Sequence, residues 1–169
     1  MKMRQFLTTI LAVVAAITVS AQSNRIGIDD FVIERDSIVS VPVTLANDTP
    51  MRGLQFNLAV PDGLKIEAGR LTKYSEKYDM NLVCRKSPKD GYVVFVYPMS
   101  RVCYPAGSEV IMVLDFCAAS GFRGGEIHIN HARGSTINNQ SIPIEDATVT
   151  VTVPASPLID QSPDTPGFF

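Results

Sequence analysis

Along residues 37–45 the chain alternates strictly. Val39, Val41, Val43 and Leu45 fall on one face, and Ser40, Pro42 and Thr44 on the other. A half-buried antiparallel strand demands this period of two, because successive side chains point to opposite faces. The same rule predicts eight further segments. Residues 25–34 open the series, but their apolar phase changes at Asp29-Asp30, from Ile26 and Ile28 to Phe31 and Ile33. Such a slip signals a bulge or a strand crossing between sheets. Pro42 cannot donate a ladder hydrogen bond, so its strand is expected at an edge or with a bulge.

Residues 53–61 give a third strand with Leu54, Phe56, Leu58 and Val60 inward, and Asp62-Gly63 turns into a brief fourth at 64–67. Residues 69–79 are the one stretch expected to be helical, with Tyr74 and Tyr78 on one face at i, i+4 spacing. Strands at 80–86 and 91–97 are joined across Asp90-Gly91, a hairpin signal. In the second of these both faces are apolar or aromatic, which predicts a central strand covered on both sides or a contact surface. Residues 109–117, 126–130 and 146–153 complete the set. The last alternates Val149, Val151 and Val153 with Thr148, Thr150 and Thr152. Many short strands with little helix predict an all-β, antiparallel β-sandwich with at most one short helix.

The ends change the picture. Lys2 and Arg4 precede an uncharged run of 14 residues, Phe6 to Val19, and Val19-Ser20-Ala21 supplies small residues before Gln22. Residues 1–21 therefore read as a secretory signal, too short for a transmembrane span. Beyond it no apolar run is long enough to cross a bilayer, so a secreted protein is expected, whether extracellular, surface-associated or periplasmic. Residues 22–153 form the expected domain. Residues 154–169, with Pro154, Pro157, Pro163 and Pro166, read as a tail or linker. Fifteen basic residues less Lys2 and Arg4, against 17 acidic, leave a net charge of −4. Without a basic stripe this argues against nucleic acid.

Candidate chemistry is sparse. Three cysteines are an odd number, and spacings of 18 and 13 residues match no zinc motif. Cys84 and Cys103 flank one predicted hairpin and form the candidate disulfide; the alternative is three reduced apolar fillers. No carboxylate pair, nucleophile motif or phosphate-cradling loop stands out, so no enzyme, cofactor or metal is expected. His128 and His131, at i and i+3, would fall on opposite strand faces. Asn47-Asp48-Thr49 and Asn139-Gln140-Ser141 match a glycosylation pattern, with chance as the default explanation.

Taken in order, the strands resemble the cohesin family and its carbohydrate-binding-module relatives. The resemblance lies in Asp36-Ser37-Ile38-Val39-Ser40-Val41-Pro42-Val43, then Gly53-Leu54-Gln55-Phe56-Asn57-Leu58 and Leu64-Lys65-Ile66. It continues through Gly91-Tyr92-Val93-Val94-Phe95-Val96, Val110-Ile111-Met112-Val113-Leu114-Asp115-Phe116 and Asp146-Ala147-Thr148-Val149-Thr150-Val151. It implies a nine-stranded jelly-roll sandwich and an activity of binding: cohesins capture dockerin modules on secreted, polysaccharide-processing enzymes. They do so through the face built by the third, fifth, sixth and eighth strands. Outward positions there include Gln55, Asn57, His128 and Asn130, the candidate partner-binding residues. The alternatives are a carbohydrate-binding module, with Tyr97 and Tyr104 as a ring platform despite the absence of tryptophan, or a structural and adhesive surface domain.

Overall fold

A computed structural model describes residues 24–88 and 91–155. The leader at 1–21, Asp90 of the predicted hairpin turn and residues 156–169 of the Pro-rich tail lie outside the described residues. Eleven strands and one helix are described. They are β1 (Arg25–Gly27), β2 (Phe31–Val32), β3 (Ile38–Asn47), β4 (Gly53–Ala59), β5 (Leu64–Leu71), α1 (Lys73–Lys77), β6 (Met80–Lys86), β7 (Tyr92–Pro98), β8 (Gly107–Ala118), β9 (Gly125–Ser135), β10 (Ser141–Pro143) and β11 (Ala147–Thr152). The nine expected segments are all present. The first is divided in two, and β10 is additional.

Two sheets stack face to face. One has the order β1-β3-β8-β5, the other β2-β11-β9-β4-β7-β6, with β10 beside β9. Among the described strands, all ladder pairings are antiparallel except β2 with β11. The inward set of each strand is the alternating apolar set. Val41, Val43, Leu45, Leu114 and Phe116 of the first sheet meet Phe56, Leu58, Val94, Ile127, Ile129, Val149 and Val151 of the second. Phe56 and Phe116 are wholly buried, and truncating either to alanine should cost ~3–5 kcal/mol.

The phase change at Asp29-Asp30 is a crossing. Ile26 pairs with Leu45 in one sheet, and Phe31 pairs with Val151 in the other. Asp30 guides the crossing by accepting a 2.7 Å hydrogen bond from the Thr150 backbone N–H. Pro42 satisfies the first of its expectations, while the bulge beside it is carried by β8, where Ile111 is the extra residue. β1 covers only Thr44, Leu45 and Ala46, leaving β3 open at Pro42, and the β3–β8 register shifts between Val43 and Thr44. At Gly91 (φ 79°), a Cβ would overlap the carbonyl of Leu58, so glycine is required where β7 begins.

The helix is shorter than expected, because β5 continues to Leu71 by pairing Arg70 with Val113 and Leu71 with Met112. Residues 69–71 have no strand signal of their own; the ladder with β8 imposes it. Beyond Leu71, the bulge in β8 presents the Ile111 carbonyl to the Thr72 N–H at 3.2 Å and to the Ser75 hydroxyl at 2.6 Å. This anchors α1 across one end of the sandwich. Tyr74 and Tyr78 do share a face, with ring centroids 5.2 Å apart.

Candidate functional site

Four strands form a continuous sheet region in the order β9-β4-β7-β6. They are the third, fifth, sixth and eighth segments of the sequence reading. Their inner faces enter the core, so outward side chains appear in rows set by register. Arg85, Val93, Asn57 and Asn130 make one row, and Val83, Phe95, Gln55 and Arg133 the next. Asn81 and Tyr97 begin a third, which continues through Gly53 to Ser135.

Gln55, Asn57, His128 and Asn130 all lie on this face. Asn57 and Asn130 are register neighbours, while His128 sits further along, opposite Ala59 and Thr148. Gln55 and His128 are exposed; Asn57 and Asn130 are half-buried. The His128 ring is 3.2 Å from the Thr148 hydroxyl and 3.7 Å from a Glu126 carboxylate oxygen. Asn130 Oδ1 is buried without a hydrogen-bond partner among the described residues. A buried acceptor left alone in this way forgoes the energy of a hydrogen bond and invites a donor.

His128 and His131 do not fall on opposite faces as period two requires; both are exposed. Between Asn130 and Arg133, β9 carries one more residue than β4, and His131 has φ 53°. This bulge turns His131 out while keeping Ala132 in the core. Among the described residues, no three His, Cys, Asp or Glu side chains are grouped so as to hold a metal.

β7 lies between β4 and β6, yet its outer face is uncovered: Phe95 is 38% and Tyr97 43% exposed. Of the two expectations for this doubly apolar strand, cover on both sides is not met: its outer aromatic row is open to solvent. Arg85 and Arg133, which flank the aromatic pair, were not singled out from sequence. Their placement depends on pairing between segments far apart in the chain.

Tyr104 belongs to no such face. It is 1% exposed, stacks on Tyr74 at 5.7 Å and donates a 2.6 Å hydrogen bond to Ser75. Burial pushes its phenol up to about 12, and that of Tyr74 up to about 12 as well. Tyr74 and Tyr78 of the α1 region close on Tyr104 to form a plug rather than a platform. The Cys84–Cys103 pair is not formed, and all three thiols are free. Cys84 packs against the core, where burial raises its pKa, and Cys117 lies between Ile38 and Lys65 in the opposite sheet. Asn47 of the first glycosylation pattern is 3% exposed, and its amide donates to the carbonyls of Thr49 and Pro105. A glycan cannot be attached there in the folded chain.

On the remaining surface, Ser40 donates to Asp115 at 2.6 Å, and Arg70 bonds both carboxylate oxygens at 2.8 Å. Those hydrogen bonds, Ser40 first and then Arg70, hold the Asp115 carboxyl below its usual range.

No family model matches the sequence, and no curated protein matches it. Solved structures do. A cohesin module from a family 33 glycoside hydrolase of Clostridium perfringens superposes with a TM-score of 0.63 at 7% identity, covering 79% of this chain and 99% of that module. The fold is cohesin-like. CaCohA2 of Clostridium acetobutylicum, solved in complex with CaDoc0917, gives 0.60 at 14% identity, covering 77% of this chain and all of its own. A non-cellulosomal cohesin from the hyperthermophilic archaeon Archaeoglobus fulgidus gives 0.55 at 14% identity, covering 77% and 91%. At such identities the cohesin-like architecture is shared while side chains are not. The β6-β7-β4-β9 face of this chain therefore has to be read from its own residues. No helix among the described residues is long and apolar enough to cross a membrane.

Proposed function

We propose that this chain is an exported, non-catalytic docking module whose β6-β7-β4-β9 face holds a protein partner, a dockerin-type module of a polysaccharide-processing enzyme. The observation that carries the proposal is the uncovered aromatic pair Phe95 and Tyr97, set among Gln55, Asn57, Arg85 and Arg133. Aromatic side chains and arginine are the residue types enriched in protein interfaces, and a desolvated aromatic centre with a polar surround concentrates binding energy. Gln55, Asn57, His128 and Asn130 would supply hydrogen bonds around it. Solved cohesin–dockerin complexes from Clostridium thermocellum share the fold at a TM-score of 0.58, and they support the choice of partner class. Tyr104 is buried away from this face, so it cannot join Tyr97 in the ring platform of the carbohydrate-binding alternative.

The test is affinity capture from the producer's culture medium on the immobilised chain, followed by mass spectrometry. The expected result is one secreted protein carrying a dockerin-type module, with retention falling at least tenfold in Phe95→Asp. Retention of insoluble glucan, with no protein captured, would overturn the assignment.

A further inference from the structure

We infer that the notch over Gly53 is the specificity pocket of this face, taking one aliphatic side chain of the partner while Arg133 pairs with a carboxylate immediately beside it. The inference rests on the docking reading and adds the chemistry of the partner.

Gly53 faces outward between β7 and β9. A Cβ built there would come within 3.0 Å of the Val96 carbonyl and 3.7 Å of both Ser135 Oγ and Tyr97 Cα. Having glycine at this point leaves an open hollow of about 280 Å³ walled by Phe95 and Tyr97 on one side and by Gln55, Arg133 and Ser135 on the other. A branched aliphatic side chain suits that space, with aromatic carbon to cover it. No acidic residue lines the hollow. Arg133 is exposed and has neither hydrogen bond nor ion pair from its guanidinium among the described residues, whereas Arg52 nearby is bonded to Asn139 Oδ1 at 3.2 Å.

An unpaired guanidinium beside an apolar hollow with no acidic residue in its wall calls for a complementary carboxylate. The fork of guanidinium donors matches carboxylate geometry, and covering the pair with apolar surface strengthens it over a solvated one. Asn130 Oδ1, further along β9, adds a demand for a donor from the same partner.

The experiment follows amide and Arg133 side-chain NMR signals of the nitrogen-labelled chain during titration with acetyl-leucyl-aspartyl amide, its asparaginyl and lysyl analogues, and cellobiose. The aspartyl peptide should shift Gly53, Phe95, Tyr97, Arg133 and Ser135 with a dissociation constant on the order of a few millimolar. The asparaginyl analogue should bind about tenfold more weakly, and the lysyl one should give no shift at the notch. Arg133→Gln should bring the aspartyl peptide down to the asparaginyl level. Gly53→Ser should remove the response; if crowding at Val96 prevents its folding, Arg133→Gln decides alone. Equal responses to all three peptides, shifts elsewhere, or no response overturn the inference, and a response to cellobiose alone reassigns the notch to sugar. If the captured protein binds Arg133→Gln as tightly as wild type, docking stands and this inference falls. If no protein is captured but the aspartyl peptide selects the notch, the docking reading falls instead.

Discussion

Replacing Tyr104 with phenylalanine removes one oxygen from the plug at the end of the sandwich and leaves the ring in place. The hydroxyl donates to Ser75 Oγ at 2.6 Å, and Ser75 in turn donates to the Ile111 carbonyl at 2.6 Å, tying α1 to the bulge in β8. The stack on Tyr74 and the apolar contact survive the substitution. The loss is one neutral hydrogen bond, plus an acceptor lone pair on Ser75, which is 0% exposed and cannot turn to water. Together these predict a destabilisation of ~1–2 kcal/mol, a fall of roughly 4–8 °C in Tm for a domain of this size. Tyr104→Ala, which empties the plug, should cost ~3–5 kcal/mol.

Urea unfolding at neutral pH measures both variants, with m unchanged for the phenylalanine. The same substitution carries a pH signature. Burial holds the Tyr104 phenol at about 12 when folded, against 10.0 for the unfolded group. Between these values the unfolded chain has lost a proton that the folded chain keeps. Stability is therefore full below pH 10 and declines as pH rises toward 12. The phenylalanine variant lacks that decline from position 104 while keeping the one from Tyr74, so its deficit against wild type should narrow above pH 10. A phenylalanine variant as stable as wild type at neutral pH, or a deficit that widens in alkali, would refute the reasoning.

The surface network offers a second measurement. Ser40→Ala removes the largest influence on Asp115, so a carboxyl-carbon NMR titration should show its pKa rising toward 3.8. Stability from this carboxylate is present above the ordinary range and lost as pH falls through the lowered folded value. Because the pair is exposed, the cost at neutral pH should stay below about 1 kcal/mol, and an unmoved titration would remove Ser40 from the network. Thiol counting tests the cysteines: denatured without reductant, the chain should release three reactive thiols, with Cys84 the slowest to react in the native state because burial raises its pKa. A count of one would establish a disulfide.

Inward and outward parity was legible wherever alternation ran unbroken, as in Val39 to Leu45, Leu54 to Leu58 and Val149 to Val153. Gln55, Asn57, His128 and Asn130 reached one face for the same reason. Parity failed at bulges. One inserted residue after Asn130 put His131 outside, and nothing in the local composition marks that insertion. Residues 69–71 became strand because β8 was there to pair with them. Tyr104 carries an amphipathic side chain suited to surface or core, and only the arrival of α1 with Ser75 decided its burial. Cys84 and Cys103 flank a hairpin in sequence, but Cys84 faces the core.

Taken alone, the order of apolar and polar residues determined a two-layer β architecture, the core side of each strand where alternation ran unbroken, and a phase change at Asp29-Asp30 that pairing then resolved as a crossing. These follow from period two and from the need to bury apolar surface, both properties of short stretches. Tertiary structure alone decided which strands became neighbours, and hence that Phe95 and Tyr97 stand uncovered beside Arg133, with Gly53 leaving a hollow between them. Register joins β4 to β7 across about forty positions and to β9 across about seventy to eighty, and it depends on the packing of the whole core rather than on any local preference.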